Sequence, residues 1–202
     1  MKYTILAVSA VLCMGSAFGA AINATNLLAG TGDTIVTDNA GNAVSGLWSG
    51  LTTFGGGAAP SDIAGLSTID PSLIIGTSDI VGVANGAFNN TYNGPDGTGE
   101  AIYLILANNA DLTAATLFGL INTGQTLDPD GATPDSNNYI LSASAGCALI
   151  GAFNAADASA DWTNLVGGPI TGPQFQLELV PEPSTSLLAG LAALGLFIRR
   201  KR

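Results

Sequence analysis

Polar and apolar residues alternate strictly over residues 174–179, close to the end of the chain. A period of two residues is typical of a β-strand with one buried face and one exposed face. The pattern predicts an inner face and an outer face, made by Phe175, Leu177 and Leu179 and by Gln174, Gln176 and Glu178 respectively. We therefore expect a half-exposed closing strand at this position.

Residues 101–107 are apolar on both faces and follow a turn-rich segment, residues 93–99. A continuous apolar run after a turn is typical of a central strand that is buried on both sides. Similar short segments predict further strands at residues 34–37, 47–54, 80–83, 117–121, 139–143 and 148–153. So many short strands favour a mainly β fold, arranged as a single antiparallel β-sandwich or jelly-roll-like domain.

Two short helical turns are predicted within this β-rich region. One covers residues 62–66, and the other lies around residues 155–165, where Asn154 or Asp157 would cap its start. Neither turn requires a second domain, because about 160 residues lie between the two terminal segments and that length suits one core.

The amino terminus has the pattern of a secretory signal peptide. Lys2 gives a positive start, residues 5–14 form an apolar run too short for a membrane anchor, and residues 15–21 are small. Small residues before the cut fit cleavage after Gly19 or after Ala21. The predicted organisation is therefore a signal peptide at residues 1–21, an exported acidic body at residues 22–180 and a tail at residues 181–202.

Charge is distributed very unevenly along the chain. The five basic residues lie at its extremities, there is no histidine, and the 15 acidic residues lie between, for a net charge of −10. Since nucleic-acid binding depends on cations that neutralise phosphates, we expect none here. Catalysis through histidine, lysine or arginine is excluded from the body, so we expect no enzyme activity and no catalytic residue.

Three ordered elements end the chain: Pro181, Glu182 and Pro183, then an apolar helix at residues 187–198, then the basic cluster of Arg199, Arg200, Lys201 and Arg202. The apolar stretch is short for a bilayer crossing, and the cations would hold its end in the cytoplasm, which predicts a transient transmembrane anchor. This tail resembles the PEP-CTERM sorting signal of exosortase substrates, which occur in Gram-negative bacteria that make exopolysaccharide.

The resemblance implies a route for the protein. In that family exosortase, a membrane-embedded transpeptidase, processes the tail near the Pro-Glu-Pro motif, and signal peptidase removes the leader. We therefore expect transient inner-membrane insertion, followed by delivery to the cell surface or the extracellular space. Extracellular polysaccharide is the partner that this route suggests. A sorting tail reports a destination and not an activity.

Carboxylate chemistry is what this composition leaves open. The densest acidic group consists of Asp128, Asp130, Asp135, Asp157 and Asp161. Two acids at a set separation suffice for a glycosidase. The loop with Asp128, Asp130 and Asp135 also offers the oxygen ligands that calcium prefers, with a solvated acidic turn as the alternative. No other cofactor is expected.

Two tryptophans and one cysteine complete the candidate residues. Trp48 and Trp162 are interpreted as core residues, with a sugar-stacking face as the alternative. Cys147 is the one cysteine outside the predicted leader, so no intramolecular disulfide is expected after processing. Its small apolar neighbours predict a buried thiol, and an intermolecular bridge is the alternative.

These observations favour a non-catalytic surface or extracellular-matrix protein with a structural or adhesive role. The alternatives are a calcium-dependent carbohydrate-binding module and a glycosidase that uses carboxylates alone. A calcium-dependent shift in melting temperature would distinguish the first alternative. Release of reducing sugar would distinguish the second.

Overall fold

A computed structural model describes residues 20–27, 34–77, 84–94, 99–127, 136–142 and 147–180. The strands are β1 (Ala20–Thr25), β2 (Ile35–Thr37), β3 (Trp48–Thr52), β4 (Ile74–Thr77), β5 (Asn89–Gly94), β6 (Ala101–Ala107), β7 (Leu117–Thr126), β8 (Ser136–Ile140), β9 (Cys147–Ile150), β10 (Ala152–Trp162), β11 (Gly168–Gln176) and β12 (Glu178–Leu179). The helices are α1 (Ile63–Ser67) and α2 (Thr163–Val166), with 3-10 turns at Phe54–Gly56 and Pro71–Leu73. The predicted mainly β fold is confirmed.

The strands of the described residues form three sheets. The first sheet has the order β5-β1-β8, the second has the order β10-β11-β2, and the third has the order β12-β7-β6-β3-β4 with β9 also paired to β7. Two pairings are parallel, β1 with β8 and β11 with β2, so the expectation of purely antiparallel pairing is wrong for them. Long connections separate these partners along the chain, and a long connection allows the parallel direction that a short hairpin forbids.

The third sheet is covered on both faces. On one face, β6 places Ile102, Leu104 and Leu106 in a central cluster that also takes side chains from the first and second sheets. On the other face, Ile105 and Ala107 pack in a second cluster with Ile63 and Leu66 of α1. The prediction of a central strand buried on both sides at residues 101–107 is confirmed.

A third cluster lies against the β10 and β11 hairpin. Its members include Ile35, Ala158, Ala160 and Trp162. The Trp162 side chain is fully buried, and its indole N–H donates to the Asn85 carbonyl at 2.8 Å. Trp48 is also buried and belongs to the cluster around α1, so both tryptophans have the predicted core position.

Asn26 forms a buried polar connection just after β1. Its side-chain NH₂ donates to the carbonyls of Thr34 and Gly86 at 2.8 and 2.7 Å, and its side-chain oxygen accepts from the Phe88 N–H at 2.8 Å. The side chain has no exposed surface. Asn26 therefore joins three separate parts of the chain through bonds that replace water at each polar group.

The helix predicted at residues 62–66 is confirmed as α1, where the Asp62 side chain accepts from the Gly65 N–H as an N-cap. The helix predicted around residues 155–165 is wrong for residues 155–162, which belong to β10, and only its last three residues lie in a helix, α2. Neither Asn154 nor Asp157 caps a helix there. Ala158, Ala160 and Trp162 are buried on alternate positions, and this period of two belongs to a strand.

The closing strand predicted at residues 174–179 is divided at Leu177. β11 lies in the second sheet and β12 in the third, so the chain passes from one sheet to the other at this residue. Phe175 and Leu177 are buried as predicted, whereas Leu179 is 47% exposed and Gln174 is buried. Gln174 is held inside because its side-chain oxygen accepts from the Thr37 hydroxyl and its side-chain NH₂ donates to the Ala156 carbonyl.

The other predicted strands correspond to described elements with shifted ends. Residues 34–37, 47–54, 117–121 and 139–143 overlap β2, β3, β7 and β8, and residues 148–153 overlap both β9 and β10. The strand predicted at residues 80–83 lies outside the described residues, as does residue 143.

Candidate functional site

The folded body ends in a short strand that carries the tail. β12 pairs antiparallel with the start of β7, with Glu178 opposite Phe118 and Leu179 opposite Leu117. The next residue, Val180, donates its N–H to the Thr116 carbonyl at 2.9 Å and packs against the cluster around α1. Pro181 follows at once in the sequence, so no linker separates the fold from the Pro-Glu-Pro segment.

A cleft of about 350 Å³ lies beside this strand. Ser61, Asp62 and Ile63 line one side, and Leu149, Ile150 and Glu178 line the other. Asp62 and Glu178 are 116 positions apart in the sequence, and their approach to one cleft depends on the packing of α1 beside the third sheet. Sequence reasoning missed this cleft, because neither Asp62 nor Glu178 belongs to a local acidic group.

Residues 179–202 match the family described as the PEP-CTERM protein-sorting motif. The chain carries a PEP-CTERM sorting motif. The motif supports export of the protein and its sorting by exosortase to the cell surface. No curated protein and no solved structure matches the chain.

The matched PEP-CTERM region overlaps the fold. It begins at Leu179, the last residue of β12, and continues through Val180, which is bonded to Thr116, the residue before β7. The structure therefore assigns the first two residues of the matched region to the body and leaves Pro181, Glu182 and Pro183 immediately beyond it.

The remaining parts of the PEP-CTERM tail lie outside the described residues. These are the Pro181, Glu182 and Pro183 motif, the apolar segment at residues 187–198 and the basic cluster of Arg199, Arg200, Lys201 and Arg202. Residues 1–19, which include most of the predicted leader, are also outside. Within the part of the chain that the structure describes, no helix is long and apolar enough to cross a membrane.

Of the acids predicted for a glycosidase, the two in the described residues, Asp157 and Asp161, are too far apart along β10 to act together. Asp157 and Asp161 lie four residues apart on β10, and this spacing corresponds to about 13 Å along a strand. Retaining enzymes place their two carboxyl groups about 5.5 Å apart and inverting enzymes up to about 9.5 Å. Asp128, Asp130 and Asp135 lie outside the described residues.

Several exposed carboxylates are occupied by hydrogen bonds from their own turns. Thr113 lowers the pKa of Asp111 through its hydroxyl and its N–H, and Thr163 lowers the pKa of Asp161 in the same way. The Ser72 N–H lowers the pKa of Asp70. A general acid needs the opposite shift, because it must hold its proton near neutral pH. These carboxylates are therefore suited to stabilising turns.

The calcium interpretation remains a prediction, because Asp128, Asp130 and Asp135 are not among the described residues. Over residues 20–27, 34–77, 84–94, 99–127, 136–142 and 147–180, no three His, Cys, Asp or Glu side chains form a group that could hold a metal ion. If the loop binds calcium, titration calorimetry should show binding heat that Asp130→Asn weakens. Asp157→Asn should leave that heat unchanged, and wild-type protein without calcium heat would contradict the prediction.

A second cleft, of about 380 Å³, lies at the other edge of the third sheet. Trp48, Ile69, Pro71 and Leu112 give it apolar walls, and Asp111 contributes a carboxylate. Trp48 as a whole is only 8% exposed, so little of its side chain is available for stacking on a sugar. This geometry favours the core role of Trp48 over the alternative of a sugar platform.

Cys147 does not have the buried position that its neighbours predicted. It is exposed at the start of β9. Further along the same strand, Leu149 is 43% exposed and Ile150 is buried. β9 pairs with β7 at the margin of the third sheet, and alternate side chains of such a strand point away from the core. The thiol is therefore accessible, and the intermolecular bridge remains a prediction.

Proposed function

We propose that this chain is a non-catalytic surface or extracellular-matrix protein with a structural or adhesive role. Its working part is the acidic body at residues 22–180, built as one β-sandwich-like domain. Signal peptidase removes residues 1–21, and exosortase processes the chain near Pro181, Glu182 and Pro183. The apolar helix at residues 187–198 holds the protein in the inner membrane until that step.

The observation that carries this proposal is the position of the matched PEP-CTERM region, which begins at Leu179, the last residue of the last described strand. An exported domain joined to a sorting tail without a linker is delivered as a folded unit. The body also has no histidine, lysine or arginine between Tyr3 and Ile198, which leaves acids as its ionised side chains. Asp62, Asp70, Asp111 and Asp161 use their carboxylates in local turns or caps, as expected of structural residues.

Intact-mass measurement on protein from the native host tests this function. We expect the mature protein to lack the leader and to end near residues 181–184. In a host without exosortase, the tail through Arg202 should persist and the protein should remain with the membrane. Full-length tails in wild-type cells would contradict the proposal.

A matched pair of variants tests which acidic residue exosortase recognises during processing. Glu182→Gln removes the one charge between the fold and the basic cluster, and we expect unprocessed protein to accumulate. Glu178→Gln removes the neighbouring exposed charge from β12, outside the matched region, and we expect normal processing. Equal processing of both variants would show that the Glu182 charge is not required.

A further inference from the structure

The first two residues of the PEP-CTERM region are part of a β-sheet. Leu179 lies opposite Leu117, and Val180 is bonded through its N–H to the Thr116 carbonyl. Val180 is partly buried against the cluster around α1, whereas Glu178 and Leu179 are exposed. In the folded body, the backbone edge of β12 that faces β7 is therefore already paired.

This pairing restricts access to the processing site. Proteins that recognise an extended peptide often add it as a strand to the edge of a sheet, through main-chain hydrogen bonds. When the cut falls directly after Pro181, the residues on its amino side include Leu179, which pairs with β7, and Val180, which is bonded to Thr116. Between Val180 and the apolar segment there are residues 181–186, which span at most roughly 20 Å when extended.

We infer that β12 and Val180 must detach from β7 before exosortase can process the tail. This inference rests on the proposed function and adds a regulated step to it. Detachment frees residues 178–180, which adds about 10 Å of extended chain on the body side of the motif. The membrane-embedded enzyme then has an extended substrate segment, and the body has room to stand away from the bilayer.

The structure limits how far the detachment extends. Leu177 is buried in the central cluster, and its N–H donates to the Thr37 carbonyl at 2.9 Å. β11, which precedes it, pairs with both β10 and β2. β12 has two residues, both exposed, so it is the part of this segment that opens most readily. The released segment therefore begins after Leu177, and the core remains folded.

A cross-strand disulfide tests the inference in the full-length protein. Because Val180 and Thr116 form a hydrogen-bonded pair, Leu179 and Leu117 are the adjacent non-hydrogen-bonded pair, whose short separation suits a disulfide. The locked variant is Leu117→Cys with Leu179→Cys, made with Cys147→Ser. The control disulfide is Ser159→Cys with Thr171→Cys on the same background, because these exposed residues are directly opposite on β10 and β11.

Processing is followed by pulse-chase in the native host, and mass spectrometry verifies each disulfide. We expect the locked variant to be processed at least tenfold more slowly than the control disulfide, and a reducing agent should restore its rate. Equal rates for the two oxidised variants would overturn the inference while leaving the proposed function intact. Failure of the Cys147→Ser protein itself to be processed would instead contradict the proposed function.

A second variant tests the opposite direction without changing the tail. Leu117→Ala removes the side chain that faces Leu179, so β12 should detach more often and processing should be at least threefold faster. Leu149→Ala, at an exposed leucine of β9, is the control and should have the wild-type rate. A Leu117→Ala rate at or below the wild-type rate would count against release of β12 as a controlling step.

Discussion

Replacing Asn26 by alanine should lower the free energy of unfolding by about 2–5 kcal/mol, since each buried polar group that loses its partner costs about 1–3 kcal/mol. The Phe88 N–H and the Thr34 carbonyl both lose the bond that the Asn26 side chain supplies. Asn26 has no exposed surface, so bulk water does not reach these two backbone groups to replace the lost bonds. The measurement is urea unfolding of the purified protein.

Asn109→Ala is the matched control for this prediction. Asn109 is exposed, and its side-chain oxygen accepts one hydrogen bond, from the Asp111 N–H. Loss of this bond should change stability by less than about 1 kcal/mol, because water can satisfy the Asp111 N–H. Similar losses in the two variants would show that the buried connection through Asn26 is not a major source of stability.

Replacing Gly86 by alanine is expected to destabilise the fold by about 3–5 kcal/mol, through backbone strain and overpacking together. Gly86 has a φ of +71°, which an L-residue adopts at a cost. A Cβ atom there would lie 2.6 Å from the Val36 carbonyl oxygen and 2.9 Å from a methyl group of Ile35. The carbonyl belongs to the backbone and cannot move aside as a flexible side chain can.

Gly124→Ala separates the two contributions. Gly124 also has a φ of +71°, but nothing lies within 4 Å of the position that its Cβ would take. Its replacement should cost about 1–2 kcal/mol, the conformational contribution alone. Thermal unfolding of both variants gives the difference, and equal losses would rule out crowding at Gly86.

Local sequence patterns correctly predicted the elements whose signals lie within their own segment of the chain. The cap at Asp62 and the apolar run at residues 101–107 were sufficient to place α1 and β6. The error at residues 155–165 arose because alanine favours helices, whereas pairing with β11 and the burial of Ala158, Ala160 and Trp162 favour a strand. Tertiary pairing outweighed propensity, and the alternate burial was the signal that would have corrected the prediction.

Long-range pairing could not be predicted in the same way. The parallel contact of β1 with β8 joins residues more than 100 positions apart, and no local pattern specifies it. The same limit explains Leu179 and Cys147. Their exposure depends on β12 and β9 lying beside β7 at the margin of the third sheet. The alternation of polar and apolar residues predicted burial of Leu179, and the small apolar neighbours of Cys147 predicted burial of its thiol.

The sorting signal could be recognised because its three elements are adjacent in the sequence. Its attachment to the body was not readable, since the bond from Val180 to Thr116 joins residues 64 positions apart. The cleft that Asp62 and Glu178 share was missed for the same reason. The sorting signal could therefore be predicted from the sequence, whereas the surface features of the folded body could not.

The central position of β1 in the first sheet determines the order in which the exported chain can fold. β1 is the first strand of the described chain, and its two neighbours are β5 at Asn89–Gly94 and β8 at Ser136–Ile140. A chain that crosses a membrane from its amino end can therefore pair β1 with β5 only after residue 94 has crossed, and with β8 only after residue 140 has crossed. Such non-local pairing makes folding slow, in the range of milliseconds to seconds or longer. The first sheet can therefore be completed only after most of the body has crossed.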